Sequence, residues 1–574
     1  MPVHNADIAT VFERIADLLE LESANPFRIR AYRNAARIVG ELGRDVAGMV
    51  EKGENITQLP GIGNDLAAKI SEIARTGSCA LLQKLEKELP PAITDLLQIQ
   101  GLGPKRVRAL YHELGVETLE DLQQAARDGQ IRELPGFGER SERKILEAVQ
   151  TRPEGSGRML LAVADQYAGS LAAHLRAVPG VRRVELAGSF RRGRETVGDL
   201  DLLVTAEKGV RVMERFAEYD EIRDLISSGD TRSSAILKSG LQVDLRLVPE
   251  ESYGSALQYF TGSKAHNIQL RRLARERGLK INEYGVFRGE KRIAGDTEES
   301  VYRAVGLPWI APELRENEGE LEAARRKLLP ELVTLTDLKG DLHCHTRASD
   351  GHHSVEEMGN AARQCGLSYL AITEHSQRLQ VARGLDPRRL LKHMEEVERV
   401  GARLKGITLL KGVEVDILED GGLDLPDDVL GQLDLVVGAV HSRFDLPRAR
   451  QTARILRAMD HPHFTILAHP TGRMIGTRDA MHVDWLQVVR KARERGCFLE
   501  LNAQPERLDL LDRLCRMARD EGVLVSVASD AHSTLDLANL RFGVCQARRG
   551  WLGRKDVLNT RTLKQLAPLL RRTM

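Results

Sequence analysis

Aromatic residues are scarce in this 574-residue chain, with Phe, Trp and Tyr together making up 4% of it. That argues against a surface built mainly on stacking of nucleic-acid bases. Cysteine is sparse too: the six cysteines, at 79, 344, 365, 497, 515 and 545, are dispersed with no Cys-x-x-Cys pair. Such a distribution offers neither a zinc ribbon nor a disulfide framework and fits a reducing compartment. No apolar run is long enough to cross a bilayer, and the opening MPVHNADIATVFERIADLLE reads as an amphipathic helix rather than a targeting segment. A cytoplasmic location is expected. Neither charge dominates, since the formal net charge is +1, so overall charge neither requires nor forbids a nucleic-acid partner. What is present is an ordinary globular composition, 42% hydrophobic and 29% charged. The length exceeds one core and suggests roughly three to five compact domains.

Residues 1–150 read as all-helical and repeat one pattern three times, in QLPGIGNDLAAKI, QIQGLGPKRVRAL and ELPGFGERSERKI. Each copy is an apolar residue, a Gly-x-Gly turn and an amphipathic helix; the turns hold Gly61 and Gly63, Gly101 and Gly103, and Gly136 and Gly138. Pro104 stands in the first turn of the second helix, where a missing N–H does no harm, and Lys105 follows it. Free backbone N–H groups at such a helix start can hold a phosphate, and glycine lets it come close. One copy alone would read as a helix C-cap followed by a new helix. No strand precedes the copies and none completes Gly-x-Gly-x-x-Gly, which speaks against a dinucleotide fold. The three copies resemble helix-hairpin-helix elements, which implies a grip on the DNA backbone through these glycines and Lys105 without sequence readout.

From about residue 155 the pattern changes to a helix, MLLAVADQYAGSLAAHLRAV, and strands at VRRVELAGS, GDLDLLVTA and LQVDLRLV. In GDLDLLVTA the strand period of two places Asp199 and Asp201 on one face and Leu200 and Leu202 on the other. Neighbouring carboxylates on a buried strand repel and raise each other's pKa unless a cation lies between them. Mg²⁺ suits the position because it takes oxygen ligands and bridges carboxylates to phosphates. Asp244 in LQVDLRLV is a third acid on a second strand, and a Gly188-Ser189 turn followed by Arg191 and Arg192 suits a polyphosphate. Asp-x-Asp by itself would equally describe two solvated acids at a strand end. The turn, the arginines and the third acid favour the metal site.

The stretch APELRENEGELEAARRKLLPELVTL, charged and opened by proline, reads as a linker. Beyond residue 337 apolar strands alternate with helices, and seven strand candidates run out through KGDLHCH, YLAITEH, LLKGVEV, LDLVVGAVH, FTILAHP, CFLELNA and LVSVASDAH. In a barrel of parallel strands the carboxyl ends converge on one face. His343, His345, Asp350, His375, Glu414, His441, His469, Asp530 and His532 would then meet, as nine N and O ligands, more than one metal uses. Two or three Zn²⁺ or Mn²⁺ ions are expected, able to generate hydroxide near neutral pH and to stabilise oxygens at phosphorus. His343 and His345 share one strand face, so Cys344 faces away and packs. Barrel histidines satisfied only by hydrogen bonds are the other reading.

GSFRRGRETVGDLD, the later VDLR and YFTGSKAHN resemble the family X DNA polymerases over roughly residues 1–312. DLHCHTRASDG, ITEHS, GVEVD, VHSRF, LAHP and SDAH resemble the PHP (polymerase and histidinol phosphatase) domain family over about 337–574. Together they imply a multidomain chain: an all-α helix-hairpin-helix N-terminal part, an α+β nucleotidyltransferase palm, and a C-terminal α/β distorted seven-stranded (β/α)7 barrel. The implied divisions are a lyase-like helical domain at 1–90, a helical DNA-binding subdomain at 91–154, the palm at 155–248, a nucleotide and template subdomain at 249–312, the linker at 313–336 and the PHP domain at 337–574.

The same resemblance assigns roles. Asp199, Asp201 and Asp244 would bind Mg²⁺ or Mn²⁺ for nucleotidyl transfer, and Gly188, Ser189, Arg192 and Gly198 would contact the triphosphate. Tyr259, Phe260 and Gly262 would line the sugar pocket, with Asn267 and Arg271 toward the minor-groove side of the nascent pair. The nine barrel residues would hold a trinuclear phosphoesterase site, with Glu374, Asn502 and Arg473 in support. Lys69 falls on the family's Schiff-base lysine, but Asp65 stands where animal members have a phosphate-binding lysine. Gln242 and Lys264 also depart from the animal pattern, which implies altered nucleotide affinity or fidelity with the metal ligands kept. The expected activity is gap-filling DNA synthesis in base excision repair or end joining, with 3′-5′ exonuclease or abasic-site endonuclease action by the barrel. Gapped or nicked duplex and deoxynucleoside triphosphates are the expected partners, of a monomer in the cytoplasm that joins the nucleoid when bound to DNA. Two rivals remain, a small-molecule phosphatase and a DNA-end scaffold.

Overall fold

The computed structural model describes residues 3–573 except 23, 43, 60, 89–95, 97–101, 117, 135, 140–141, 144 and 146–157. Gly101 and the expected boundary at 154 lie outside the described residues. The chain forms two compact units: Met1–Gly157 with Asp220–Arg223 and Ile236–Leu241, and Arg158–Tyr219 with Asp224–Ala235 and Gln242–Met574.

The first unit is helical. In the helix Asn5–Leu21, Ile8, Phe12, Ile15 and Leu19 recur every three or four residues and are buried, as are Tyr32, Ala35, Ala36 and Val39 of Pro26–Glu41. Phe12 and Tyr32 meet edge to face, 5.7 Å apart. Gly63 caps the start of the helix Asn64–Thr76 and Gly103 that of Pro104–Leu114, the places where the repeats predict helix starts. Gly61 and Gly136 have φ of 61° and 85°, a left-handed backbone that favours glycine.

The second unit opens with a short ribbon of β1 (Met159–Leu160) and β3 (Thr196–Val197). A five-stranded sheet follows, ordered β2 (Val181–Leu186), β4 (Asp199–Ala206), β7 (Gln242–Leu247), β6 (Arg232–Leu237) and β5 (Ile222–Ser228). β4 runs antiparallel to β2 and parallel to β7. Two helices, Tyr253–Thr261 and Lys264–Arg275, lead to the antiparallel β8 (Lys280–Asn282), β9 (Gly285–Arg288) and β10 (Lys291–Ala294).

The expected linker at 313–336 contains buried residues. Leu314, Arg315, Glu320 and Ala324 are buried, and Leu314 and Ala324 join a core with Leu270, Val301, Tyr302 and Trp551. Its charges are answered inside: Arg315 Nη1 donates to Glu298 Oε1 at 2.6 Å, and Glu320 Oε1 lies 2.6 Å from His266 Nδ1. Buried charges persist when paired in this way.

The last sheet has seven parallel strands in sequence order: β11 (Gly340–Asp341), β12 (Tyr369–His375), β13 (Thr408–Asp416), β14 (Leu435–Ala439), β15 (Ile466–Leu467), β16 (Phe498–Asn502) and β17 (Val525–Ala528). Period two is visible in β12. Tyr369 and Ala371 join one cluster with Leu435, Val437, Ile466 and Phe498, while Leu370 and Ile372 join another with helix residues such as Met358 and Val488. Leu566 and Leu570 of the last helix enter the first of these clusters. β11 and β15 are shorter than their apolar runs predict, so His343, His345 and His469 sit in the loops just beyond strands.

Two candidate active sites

The alternation of β4 is observed: Leu200 and Leu202 are buried, and Asp199 and Asp201 project into a cleft of about 670 Å³. Parallel pairing sets Asp201 opposite Asp244 of β7. Burial, then the charges of Asp199 and Asp244, pushes the Asp201 carboxyl up to about 7. Asp244 is fixed by neighbours, accepting from Gln242 Nε2 at 3.0 Å and from the Ser234 hydroxyl. Three acids so placed form an all-oxygen set of the kind that suits a hard divalent cation.

Gly188 starts the turn beside them with φ of 58°, and a Cβ there would fall 2.2 Å from Asp201 Oδ2. Only glycine lets this turn come so near the carboxylate. The Ser189 hydroxyl is buried with no hydrogen-bond partner among the described residues. An orphaned hydroxyl at a cleft wall is an anomaly that a ligand oxygen would remove. Arg192 is held by Glu316, with Nε to Oε1 at 3.1 Å, and donates from Nη1 to Thr261 O at 2.8 Å.

Tyr259, Phe260, Gly262, Asn267 and Arg271 line the same cleft. Asn267 Nδ2 donates to Tyr259 O at 2.6 Å, and a Cβ on Gly262 would lie 2.5 Å from Asn267 Oδ1. Asp244 and Gly198 adjoin the cleft without being in its lining. Arg158, Arg194 and Glu316 also line it, and the sequence reading passed over them. Arg158 reaches the strand pair before the acids, Nε to Thr196 Oγ1 at 2.9 Å, but a lone arginine carries no spacing that would reveal this.

The barrel brings all nine of its expected residues together. His343 Nε2 and His345 Nε2 are 3.2 Å apart, and His345 Nε2 is 3.2 Å from Asp530 Oδ1. Asp350 Oδ1 lies 3.5 Å from His375 Nε2 and 3.4 Å from His532 Nε2. Glu414 is central: its carboxylate stands 2.8 Å from His469 Nε2, 3.2 Å from His441 Nε2 and 3.5 Å from His343 Nε2. Two ligand atoms bound tetrahedrally at the usual Zn–N distance are about 3.3 Å apart. The separations of 3.2–3.5 Å lie near that value, while the 2.8 Å approach of His469 to Glu414 is a hydrogen-bond distance. His375 Nδ1 and Glu414 Oε2 approach to 2.6 Å, yet neither atom has a hydrogen-bond partner among the described residues. Buried polar atoms facing one another without bonding fit ligands arranged around shared ions.

The electrostatics say the same. Burial opposes charge on Glu414, but His375, His441 and His343 hold its carboxylate well below the ordinary range. Burial would also lower His343, His375 and His532, yet the surrounding carboxylates win, holding His343 well above its ordinary value, His375 at about 10 and His532 at about 9. His345, buried between His375 and His532, is driven down to about 4. Divalent ions would replace those protons as the counter-charge.

Glu500 was not anticipated. It accepts from the His469 backbone N–H at 2.6 Å and faces His343 Nδ1 at 2.6 Å, which turns Nε2 toward the cluster. Asp416 stands 3.4 Å from His441 Nδ1. Glu500 is the middle residue of β16, two before Asn502, and Asp416 is the last residue of β13, two after Glu414. Asn502 Nδ2 donates to Asp530 Oδ2 at 2.9 Å; Glu374 accepts from Thr346 N at 3.0 Å, behind the loop that bears Asp350. Cys344 faces away, its thiol donating to Ala371 O at 3.2 Å. Arg473 points elsewhere: its guanidinium pairs with Glu195 at 2.7 Å.

In the helical unit, a Cβ on Gly63 or Gly103 would meet nothing within 4 Å. Packing therefore does not demand glycine at these helix starts, whereas close approach of a ligand to the backbone would. Lys105 is the second residue of the helix Pro104–Leu114 that Gly103 caps. Lys69 is bonded to Asp65; although its burial acts the other way, that partner raises the ammonium pKa above its ordinary value.

Family models match in the same order as these parts: a helix-hairpin-helix domain at 3–79, a SAM-like helix-hairpin-helix tandem at 93–151, a DNA polymerase beta thumb at 256–316 and a PHP domain at 341–523. The DNA polymerase/3'-5' exonuclease PolX of Bacillus subtilis (strain 168) is 39% identical over 577 residues, covering 99% of this chain and 100% of that protein. The chain belongs to the PolX family. Other relatives are similar over part of the chain. DNA polymerase lambda of Arabidopsis thaliana is 28% identical over 46% of this chain and 54% of its own length. A probable phosphatase of Thermoanaerobacter sp. (strain X514) is 29% identical over 38% of this chain and 89% of its own. Among the described residues no helix is long and apolar enough to cross a membrane.

Proposed function

We propose that this PolX protein is a DNA-directed DNA polymerase that fills short gaps during base excision repair or end joining, and that its PHP barrel hydrolyses DNA phosphodiesters, as a 3′-5′ exonuclease and at abasic sites. The observation that carries this reading is the coexistence, on one chain similar end to end to a polymerase/3'-5' exonuclease, of a carboxylate triad and a separate histidine-rich cluster. Gapped or nicked duplex and deoxynucleoside triphosphates are its partners. The protein acts as a cytoplasmic monomer that joins the nucleoid on DNA.

Asp199, Asp201 and Asp244 would hold Mg²⁺ or Mn²⁺, and the nine barrel ligands two or three Zn²⁺ or Mn²⁺. Bound there, such ions lower the pKa of a 3′-hydroxyl or a water and neutralise charge at phosphorus. The protein supplies position. Ser189 and Arg192 bind triphosphate oxygens at the turn of Gly188, while Gly198 leaves room beside them. Tyr259, Phe260 and Gly262 bound the sugar, and Asn267 and Arg271 face the base pair. In the barrel, Glu500 fixes the orientation of His343 so that its Nε2 faces the cluster. Gly61, Gly63, Gly101, Gly103, Gly136, Gly138 and Lys105 grip the DNA backbone.

The test gives purified protein an end-labelled one-nucleotide gap, with nucleotides and each metal supplied or withheld. Extension with nucleotides and Mg²⁺, and 3′ shortening with Mn²⁺ or Zn²⁺ alone, are expected. Rapid hydrolysis of phosphomonoesters without action on DNA would favour the phosphatase reading that the partial relatives raise.

A further inference from the structure

The turn that begins at Gly188 is gripped from outside the palm. Arg549, on the PHP helix Leu540–Arg549 and 5% exposed, donates from Nη1 to the carbonyl of Arg192 at 3.0 Å and to Glu316 Oε1 at 3.0 Å. Its Nη2 is anchored to Asp512 Oδ2 at 2.8 Å. Glu316 Oε1 is the same oxygen that accepts from Arg192 Nε. One turn earlier on that helix face, Cys545 closes on Gly193, where an added Cβ would fall 2.1 Å from the thiol sulfur. At the far end of the turn, Glu195 makes a two-bond fork with Arg473, at 3.1 and 2.7 Å. Arg473 is itself locked by the carbonyls of Arg507 at 2.9 Å and Leu508 at 2.6 Å. Bidentate pairing of this kind fixes direction as well as distance.

We infer that Arg473 and Arg549 of the PHP domain are positioning residues for DNA synthesis, holding the turn 188–195 so that Ser189 and Arg192 meet the triphosphate of the incoming nucleotide. The inference rests on the polymerase reading above. Without the brace the turn has freedom that nucleotide binding must remove, and the loss falls on KM for the nucleotide. The acids of β4 are anchored by the sheet and not by the brace, so kcat is maintained. A contact that only joined two domains would change stability and leave nucleotide KM alone.

The experiment uses full-length protein and measures gap filling against nucleotide concentration. Arg549→Ala should raise nucleotide KM about tenfold, given how strongly misplaced binding groups are penalised, with kcat within about twofold and with 3′ shortening and barrel metal content unchanged. Arg549→Lys should recover part of the loss, because one donor still reaches the Arg192 carbonyl. Should Arg549→Ala fail to fold, Glu195→Gln reads the same quantity, and Glu195→Arg combined with Arg473→Glu should recover the KM lost in either alone. An unchanged KM in folded Arg549→Ala, or a fall confined to kcat, overturns the inference. Wild-type protein that extends no gapped primer would instead sink the polymerase reading itself.

Discussion

Replacing Gly188 by alanine tests how tightly the polymerase cleft is built. The added methyl would start 2.2 Å from Asp201 Oδ2 and 3.2 Å from its Cγ. Ordinary contact begins near 3.4 Å, so the carboxylate or the turn must give by about 1 Å. The backbone at φ of 58° adds strain of about 1–2 kcal/mol for any side chain. Displacing a reacting group by about 1 Å costs on the order of 10²-fold in rate. Gly188→Ala should therefore lower the gap-filling rate by about two orders of magnitude while the melting temperature drops by only a few degrees. Steady-state extension of a one-nucleotide gap measures the first and calorimetry the second; 3′ shortening by the same preparation is the internal control. Extension at the wild-type rate would refute the placement of Asp201 at the reacting centre.

Three further outcomes follow from the charges. In ion-free protein His375 titrates at about 10 and His532 at about 9, above the ordinary 6.5. Their ion pairs thus stabilise the fold fully below pH 6.5, and this contribution is lost as pH rises through 9–10. Metal uptake must displace these protons, so titration with Zn²⁺ in weak buffer should release acid and apparent affinity should weaken as pH falls; uptake without proton release would contradict the ligand assignment. Lys69, bonded to Asp65 and held protonated, should give little borohydride-trapped adduct with an abasic site, and Asp65→Ala should raise the yield about threefold. Binding of gapped duplex, measured by anisotropy, should fall about 10³-fold between roughly 50 and 200 mM salt if about six phosphates are contacted; a flat salt response would exclude backbone gripping by the helix starts.

Period two made the acid pair legible, because Leu200 and Leu202 had to face the core and so fixed where Asp199 and Asp201 point. The barrel ligands were legible for a related reason: parallel strands run their apolar parts through the core and release His375, Glu414 and Asp530 at one end. Positions that depend on contacts between distant segments were not. Glu500 looked like one more strand residue until the fold put it against His343, 157 positions away. Residues 313–336 had the composition of a linker, and only the buried partners Glu298 and His266 explain why Arg315 and Glu320 are inside. Arg473 follows a metal-ligand motif in sequence but turns away from it to Glu195 of the palm, a pairing no local pattern encodes.

The central claim is that two separate clusters perform two separate reactions at DNA phosphorus. Asp201→Asn and His343→Ala, each assayed for extension and for 3′ shortening on one end-labelled gapped duplex, test it most directly. Asp201→Asn should lose extension and keep shortening, and His343→Ala should do the reverse. Loss of both activities in either folded variant would contradict it.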